Sequence, residues 1–180
     1  MPELFQVVKD PPPLGSSGLP IFCGNPSAWL GRGVYFWESF IENARKYGDT
    51  HCQSWGRLNH TKGYKIYKTI AISAHRCLNL VDGVADLRHV LDFYQKLQKK
   101  NLNKRPVRLF ELLGMMRKDP IFRTAYDSVR ALPDGGGLTP MYLEYTLPED
   151  GTKARFFFTP PIQVCFWQNA PKLSMMIFVE

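Results

Sequence analysis

The chain has 180 residues, a formal net charge of +7 and 44% hydrophobic content, enough for one domain with a real core and no apolar run long enough to span a membrane. Its start, Met1-Pro2-Glu3-Leu4-Phe5, lacks the basic-then-apolar pattern of a secretory signal, so the expectation is a cytoplasmic protein, or one exported without a cleavable signal peptide. Four cysteines (Cys23, Cys52, Cys77, Cys165) and four histidines are scattered without metal-ligand spacing; the thiols read as reduced, and no metal is expected.

Leu4 to Val8 reads as a strand, followed by a loop rich in proline and glycine, Asp10-Pro11-Pro12-Pro13 and Gly15-Ser16-Ser17-Gly18. Then comes Trp29-Leu30-Gly31-Arg32-Gly33-Val34-Tyr35-Phe36-Trp37. Two glycines running into an aromatic strand let a backbone come close to something, while Tyr35 offers a flat face for a planar ligand. The structural alternative is a hairpin corner entering a core strand. Ser39 reads as the N-cap of a helix over Glu42 to Tyr47, with Glu42 completing a capping box and Ile41, Ala44 and Tyr47 on one side. Glu38 then reads as a carboxylate near the positive end of that helix.

Gly48 to Gly63 is polar and turn-rich. Tyr64 to Ile72 reads as a strand and Cys77 to Val81 as a short extended piece. Asp86 to Lys99 sets Leu87, Val90, Leu91, Tyr94 and Leu97 at helical spacing, a core stripe, and Arg108 to Arg117 gives a second helix. Phe122 to Leu132 is aromatic and polar without a clear period; Asp127 and Arg130 within it read as an ion pair or turn contact. Pro133 to Gly137 and Pro148 to Gly151 are turns. Met141 to Leu147, Ala154 to Phe158, Ile162 to Trp167 and Leu173 to Val179 read as strands. The sum is a single α+β domain over residues 1–180, helices in the middle and strands at both ends. Lys96, Lys99, Lys100, Lys104, Arg105 and Arg108 form a basic run that could meet a polyanion, although few aromatics accompany it.

Three pieces in order resemble one family. Gly31-Arg32-Gly33-Val34-Tyr35-Phe36-Trp37-Glu38, with Asn43-Ala44-Arg45-Lys46-Tyr47 after it, is similar to the glycine-led Tyr-Phe segment of ADP-ribosyltransferases. The likeness is distant for poly(ADP-ribose) polymerases and nearer for small bacterial proteins carrying Leu-Gly-x-Gly-[Ile/Val]-Tyr-Phe-Trp-Glu. Ala125-Tyr126-Asp127-Ser128-Val129-Arg130 resembles their Tyr-Asp-x-Val-Arg segment, and Pro161-Ile162-Gln163-Val164-Cys165-Phe166 their C-terminal strand.

The resemblance implies an ADP-ribosyltransferase-like split β-sandwich with flanking helices and NAD in the cleft. It implies a mono-ADP-ribosyltransferase, of the kind that serves as a toxin or defence effector, moving ADP-ribose from NAD to a protein or nucleic-acid acceptor and releasing nicotinamide. Tyr35 would stack on nicotinamide, Tyr47 would flank it, Asn43 would lie near the carboxamide, and Gly31 and Gly33 would let the backbone close on NAD. Gln163 would hold the ribose, with Tyr35 and Gln163 as the catalytic pair. NAD would serve as co-substrate, with no metal.

The chain departs from the family in two places. Leu4 to Val8 has neither the first-strand His nor Arg, and Gln6 stands in the arginine's place, without charge to assist its hydrogen bonds. Gln163 stands where many active members have Glu, and a neutral amide cannot balance positive charge developing on the ribose. Pro161 lacks the polar group that arginine-modifying members carry there. These departures imply an alternative: a catalytically inactive domain of the same fold used as a binding module.

Overall fold

The computed structural model describes residues 2–10, 12, 19–52, 63–70, 76–100, 106–133, 142–146, 153–157, 160–167 and 175–180. Along the chain run β1 (Glu3–Lys9), β2 (Phe22–Cys23), β3 (Gly33–Glu38), α1 (Ile41–His51), β4 (Tyr64–Ile70) and β5 (Cys77–Asn79). They are followed by α2 (Val84–Lys100), α3 (Leu109–Met116), α4 (Pro120–Ala125) and β6 (Ser128–Ala131). The last elements are β7 (Tyr142–Thr146), β8 (Lys153–Phe157), β9 (Gln163–Phe166) and β10 (Ile177–Phe178). The protein is α+β, with one open eight-stranded sheet in the order β10-β4-β1-β3-β9-β6-β5, β2 joining β3, and a separate β7-β8 hairpin. Every pairing is antiparallel except β5 with β6.

Apolar residues on both faces of β1, β3 and β9 put these strands in the middle of the sheet. Alternation sends Phe5, Tyr35, Trp37, Ile66, Val129, Gln163 and Cys165 to one face, because Phe5 is opposite Trp37, Tyr35 opposite Cys165, and Val129 opposite Cys165. Leu4, Val34, Phe36, Val164 and Phe166 form a buried cluster on the other. The helices lie on the first face in two groups. Ile41, Ala44 and Tyr47 of α1 pack with Phe5, Trp37, Tyr64 and Ile66. Leu112, Leu113 and Met116 of α3 and Phe122 of α4 pack with Leu78, Val129, Cys165 and Trp167. Tyr35, Trp37 and Gln163 run along the seam between the groups.

On its edge away from β9, strand β3 has two partners: β2 meets it at Gly33 and Val34, β1 at Trp37 and Glu38. Where β1 and β2 diverge, the Gln6 amide bridges them, Nε2 donating to Ile21 O and Oε1 accepting from Ile21 N, both at 2.9 Å. This side chain acts as a surrogate peptide group. Gly33 is required for a different reason: a Cβ there would stand 2.4 Å from Phe166 O and 2.6 Å from Cys165 Sγ.

Several local expectations are corrected. Ser39 is not the N-cap: its φ is 65°, its N–H goes to Glu3 O at 2.8 Å, and Phe40 caps α1 without a side-chain bond. The left-handed residue turns the chain from β3 into α1, which overrides the capping box. Helix α1 also runs on to His51, past Gly48, where a Cβ would stand 2.5 Å from the Tyr64 ring. On α2, Val90, Tyr94 and Leu97 pack against the core as expected, but Leu87 and Leu91 face outward at 41% and 51% exposure. Phe122 to Leu132 divides into α4, started by Asp119 Oδ1 accepting from Ile121 N at 2.8 Å with Pro120 behind it, and β6. The turn at Pro133 to Gly137 lies beyond the described residues apart from Pro133, and that at Pro148 to Gly151 lies wholly beyond them.

Candidate functional site

The glycine-led stretch folds as two small turns before β3. Ala28 N donates to Asn25 O and Gly31 N to Ala28 O, and Gly31 takes φ 87°, which a side chain would resist. Tyr35 locks this corner from below: its hydroxyl donates to Gly31 O at 2.6 Å and accepts from Leu30 N at 3.1 Å. Trp167 adds a third tie, its Nε1 donating to Leu30 O at 2.9 Å. The Tyr35 hydroxyl is thus committed to the fold, while its ring is a fixed wall beside Cys165. Burial raises its pKa well above the ordinary tyrosine range, with the Cys165 thiol adding to the effect.

Gln163, 7% exposed, starts β9 opposite Trp37. Its Oε1 accepts from the indole Nε1 of Trp29 at 2.7 Å. In the sheet it is the diagonal neighbour of Tyr35, on the same face, a relationship that sets side chains about 7–8 Å apart. Asn43 is buried on α1, where its Nδ2 donates to Pro160 O at 3.1 Å, pinning the approach to β9. Tyr47 meets Trp37 at 5.7 Å between ring centroids and stacks on His51 at 4.5 Å. Burial raises its pKa too. Trp37 stands between the two tyrosines along the seam, so they do not face each other as a clamp.

Tyr35, Gln163, Asn43 and Tyr47 therefore share the helix-bearing side of the sheet. Gly31 shapes the turn above Tyr35, and Gly33 makes its close approach to β9. Gln6 does not join them: it lies on the opposite face with both ends of its amide taken by Ile21.

That opposite face holds the main charged cluster. Glu38 sits at the end of β3 and receives a two-pronged contact from Arg130, Nε to Oε2 at 2.7 Å and Nη2 to Oε1 at 2.9 Å. The third arginine nitrogen reaches Asn79 and Asp82 at 3.2–3.3 Å. So Glu38 is tied to β6 rather than to the start of α1, and Arg130 pairs with Glu38 rather than Asp127. Asp127 instead faces Arg76 at 3.5 Å.

Neither Cys77 nor Cys165 offers a ready nucleophile. Burial pushes Cys165 up to about 12 and Cys77 up to about 11. Among the described residues no group of histidine, cysteine and carboxylate could hold a metal ion, and no helix is long and apolar enough to cross a membrane. Of the basic run, Lys104 and Arg105 lie outside the described residues, while the backbone N–H of Arg108 donates to Glu111 Oε2 at 3.0 Å at the start of α3.

Sequence reading missed Trp29, Trp167 and Arg117. Arg117 lies over the Trp167 ring, its guanidinium carbon 4.9 Å from the centroid. The available signal was three indoles flanking the glycine-led segment and β9; their partners, far off in sequence, were not readable. Compared with protein-family models, curated proteins and solved structures, the chain matches none.

Proposed function

We propose that the protein binds NAD along the seam and acts as a mono-ADP-ribosyltransferase of the split-sandwich kind, with a protein or nucleic acid as acceptor. One observation carries this reading: the β3-β9 register sets Tyr35 and Gln163, 128 positions apart, as diagonal neighbours on the helix-bearing face. In the resemblance these are the two positions that meet the nicotinamide ring and its ribose. The fork where β1 and β2 share the edge of β3 favours a sheet that divides as the family's does.

In this reading Tyr35 presents its ring to nicotinamide, held rigid by Leu30 and Gly31. Trp37 and Tyr47 extend the apolar wall, which excludes water from the glycosidic bond. Gln163 reaches a ribose hydroxyl through Nε2, or through Oε1 once Trp29 gives way. NAD supplies the reactive bond: nicotinamide leaves with its electron pair, and the acceptor's nucleophile takes the ribose carbon. The Gln163 amide cannot balance the charge developing there, so turnover is slow, by about 10²–10³ relative to a carboxylate in its position.

Purified protein incubated with NAD labelled in the adenosine part should release nicotinamide or label a lysate, and Tyr35→Ala should abolish both. The occupied amides of Gln6 and Gln163 favour a second reading, an inactive module that still binds the dinucleotide. It predicts that NAD raises the melting temperature without any release of nicotinamide. Absence of any NAD effect on melting or turnover would remove both readings.

A further inference from the structure

Arg117 ends α3, its N–H bonded to Leu113 O at 2.9 Å. The side chain turns back onto the sheet, stacked over Trp167, with Nη1 3.9 Å from where a Cβ of Gly31 would stand. No carboxylate pairs with it among the described residues. Burial lowers its pKa from the ordinary arginine value, and Arg123 lowers it further as a like charge nearby. Arg32, next in sequence to Gly31, is exposed.

A guanidinium half removed from water without a counter-charge is a net cost to the fold. Stacking on an indole offsets part of it. Stacking on the indole restricts the planar fork, and a guanidinium held in place without a carboxylate partner can offer two N–H groups to a phosphate. Gly31 makes the turn with its positive φ, and a Cβ there would stand in contact with both Arg117 Nη1 and Trp167 Nε1.

We propose that Arg117 is the seat for a phosphate group, as a free anion or carried on a nucleotide. Trp167 follows β9 directly, four residues from Gln163, which places its backbone about 13 Å further along the strand line. Trp29 and Tyr35 lie between them. The seat rests on Arg117, Trp167 and Gly31, independently of the nucleotide reading above.

The test titrates inorganic pyrophosphate, ADP-ribose and nicotinamide separately into the whole protein, following the fluorescence of Trp167 and its fellow tryptophans. ADP-ribose and pyrophosphate should bind, more weakly as salt rises. Arg117→Met, which keeps the stem on Trp167, should weaken both by about 10- to 100-fold and leave nicotinamide unaffected. Its melting temperature should equal or exceed the parent's, a result opposite to that of a structural arginine. Arg117→Lys should retain part of the affinity, and decides the matter if the Met variant does not fold. Unchanged pyrophosphate affinity in the folded variant overturns the proposal, as does a wild-type protein that binds neither anion, even if it binds an oligonucleotide. Arg117-dependent pyrophosphate binding without any NAD binding upholds the seat and removes the nucleotide reading.

Discussion

Trp29 and Gln163, 134 positions apart, meet through an indole N–H held 2.7 Å from an amide oxygen. This bond ties the turn before β3 to the first residue of β9, across the middle of the seam. It also occupies the oxygen that the proposed chemistry would direct at the ribose. Fold and site compete for the same atom.

Trp29→Phe keeps the aromatic volume and removes the donor. The buried Gln163 oxygen then loses its partner, at a cost of about 1–3 kcal/mol, or about 2–4 °C in melting temperature per kcal/mol. Combining it with Gln163→Leu should cost less than the sum of the two single changes, since both ends of the bond are then apolar. Additive losses in thermal melts would show that the bond contributes nothing.

Gln163→Glu puts a carboxylate where the Trp29 N–H still finds an acceptor. If the amide limits turnover, nicotinamide release should rise by about 10²–10³. A folded variant that still binds NAD and releases nicotinamide no faster would favour the inactive module.

Two glycines should respond in opposite directions to alanine. In Gly33→Ala the new methyl meets a backbone oxygen that cannot retreat without opening β3 from β9, costing about 1–3 kcal/mol. Gly114, inside α3 with open space around it, should gain about 0.5–1 kcal/mol. Urea denaturation of the two variants measures both signs.

Breaking the Glu38–Arg130 pair from one side should be severe. Arg130→Met strands the carboxylate of Glu38, whose side chain is 10% exposed, at about 3–5 kcal/mol. Adding Glu38→Leu should recover much of the loss, because it is the lone charge that is costly. Chemical denaturation of the single and double variants gives the comparison.

Stability should fall in alkali. Burial holds the folded-state pKa of Cys77 near about 11 and that of Cys165 near about 12, against an ordinary 9.0. Above pH 9 the unfolded chain loses these protons while the folded chain keeps them, so ionisation pulls the equilibrium towards unfolding. The thiol contribution is complete below pH 9 and is lost towards pH 11–12. Cys165→Ala should shallow the alkaline slope of melting temperature against pH, whatever its effect at neutrality.

Where local pattern dominated, the sequence was readable. Central strands β1, β3 and β9 show as dense apolar runs because both faces are covered, and α1 shows through Ile41, Ala44 and Tyr47. Strand β2, two residues long, exists only because β3 has a free edge at Gly33 and Val34. Helix α4 is too short to display a period, although Asp119-Pro120 marks its start. Ser39 carried a true capping pattern, and the corner's need for a positive φ prevailed. At the site, Tyr35 was singled out by its glycine-led segment and Gln163 through resemblance, and the two fell on one face. Gln6 was assigned by the same route, but the parity of β1 sends it to the other. Arg117 had no local signature, since what distinguishes it is the absence of a carboxylate partner, among the described residues, near a side chain resting on a distant indole.

Strand β9 joins two neighbours, β3 and β6, that make no other contact through the sheet. Without it the sheet falls into β10-β4-β1-β3 on one side and β6-β5 on the other. A chain must therefore be synthesised and folded past residue 166 before either half gains its central partner, a long-range closure that slows folding. Amides of Val164 and Cys165 should exchange with solvent water only when the whole domain opens. Any binding surface spanning β3 and β9 then appears in a single cooperative event, so a partly folded chain offers no partial site.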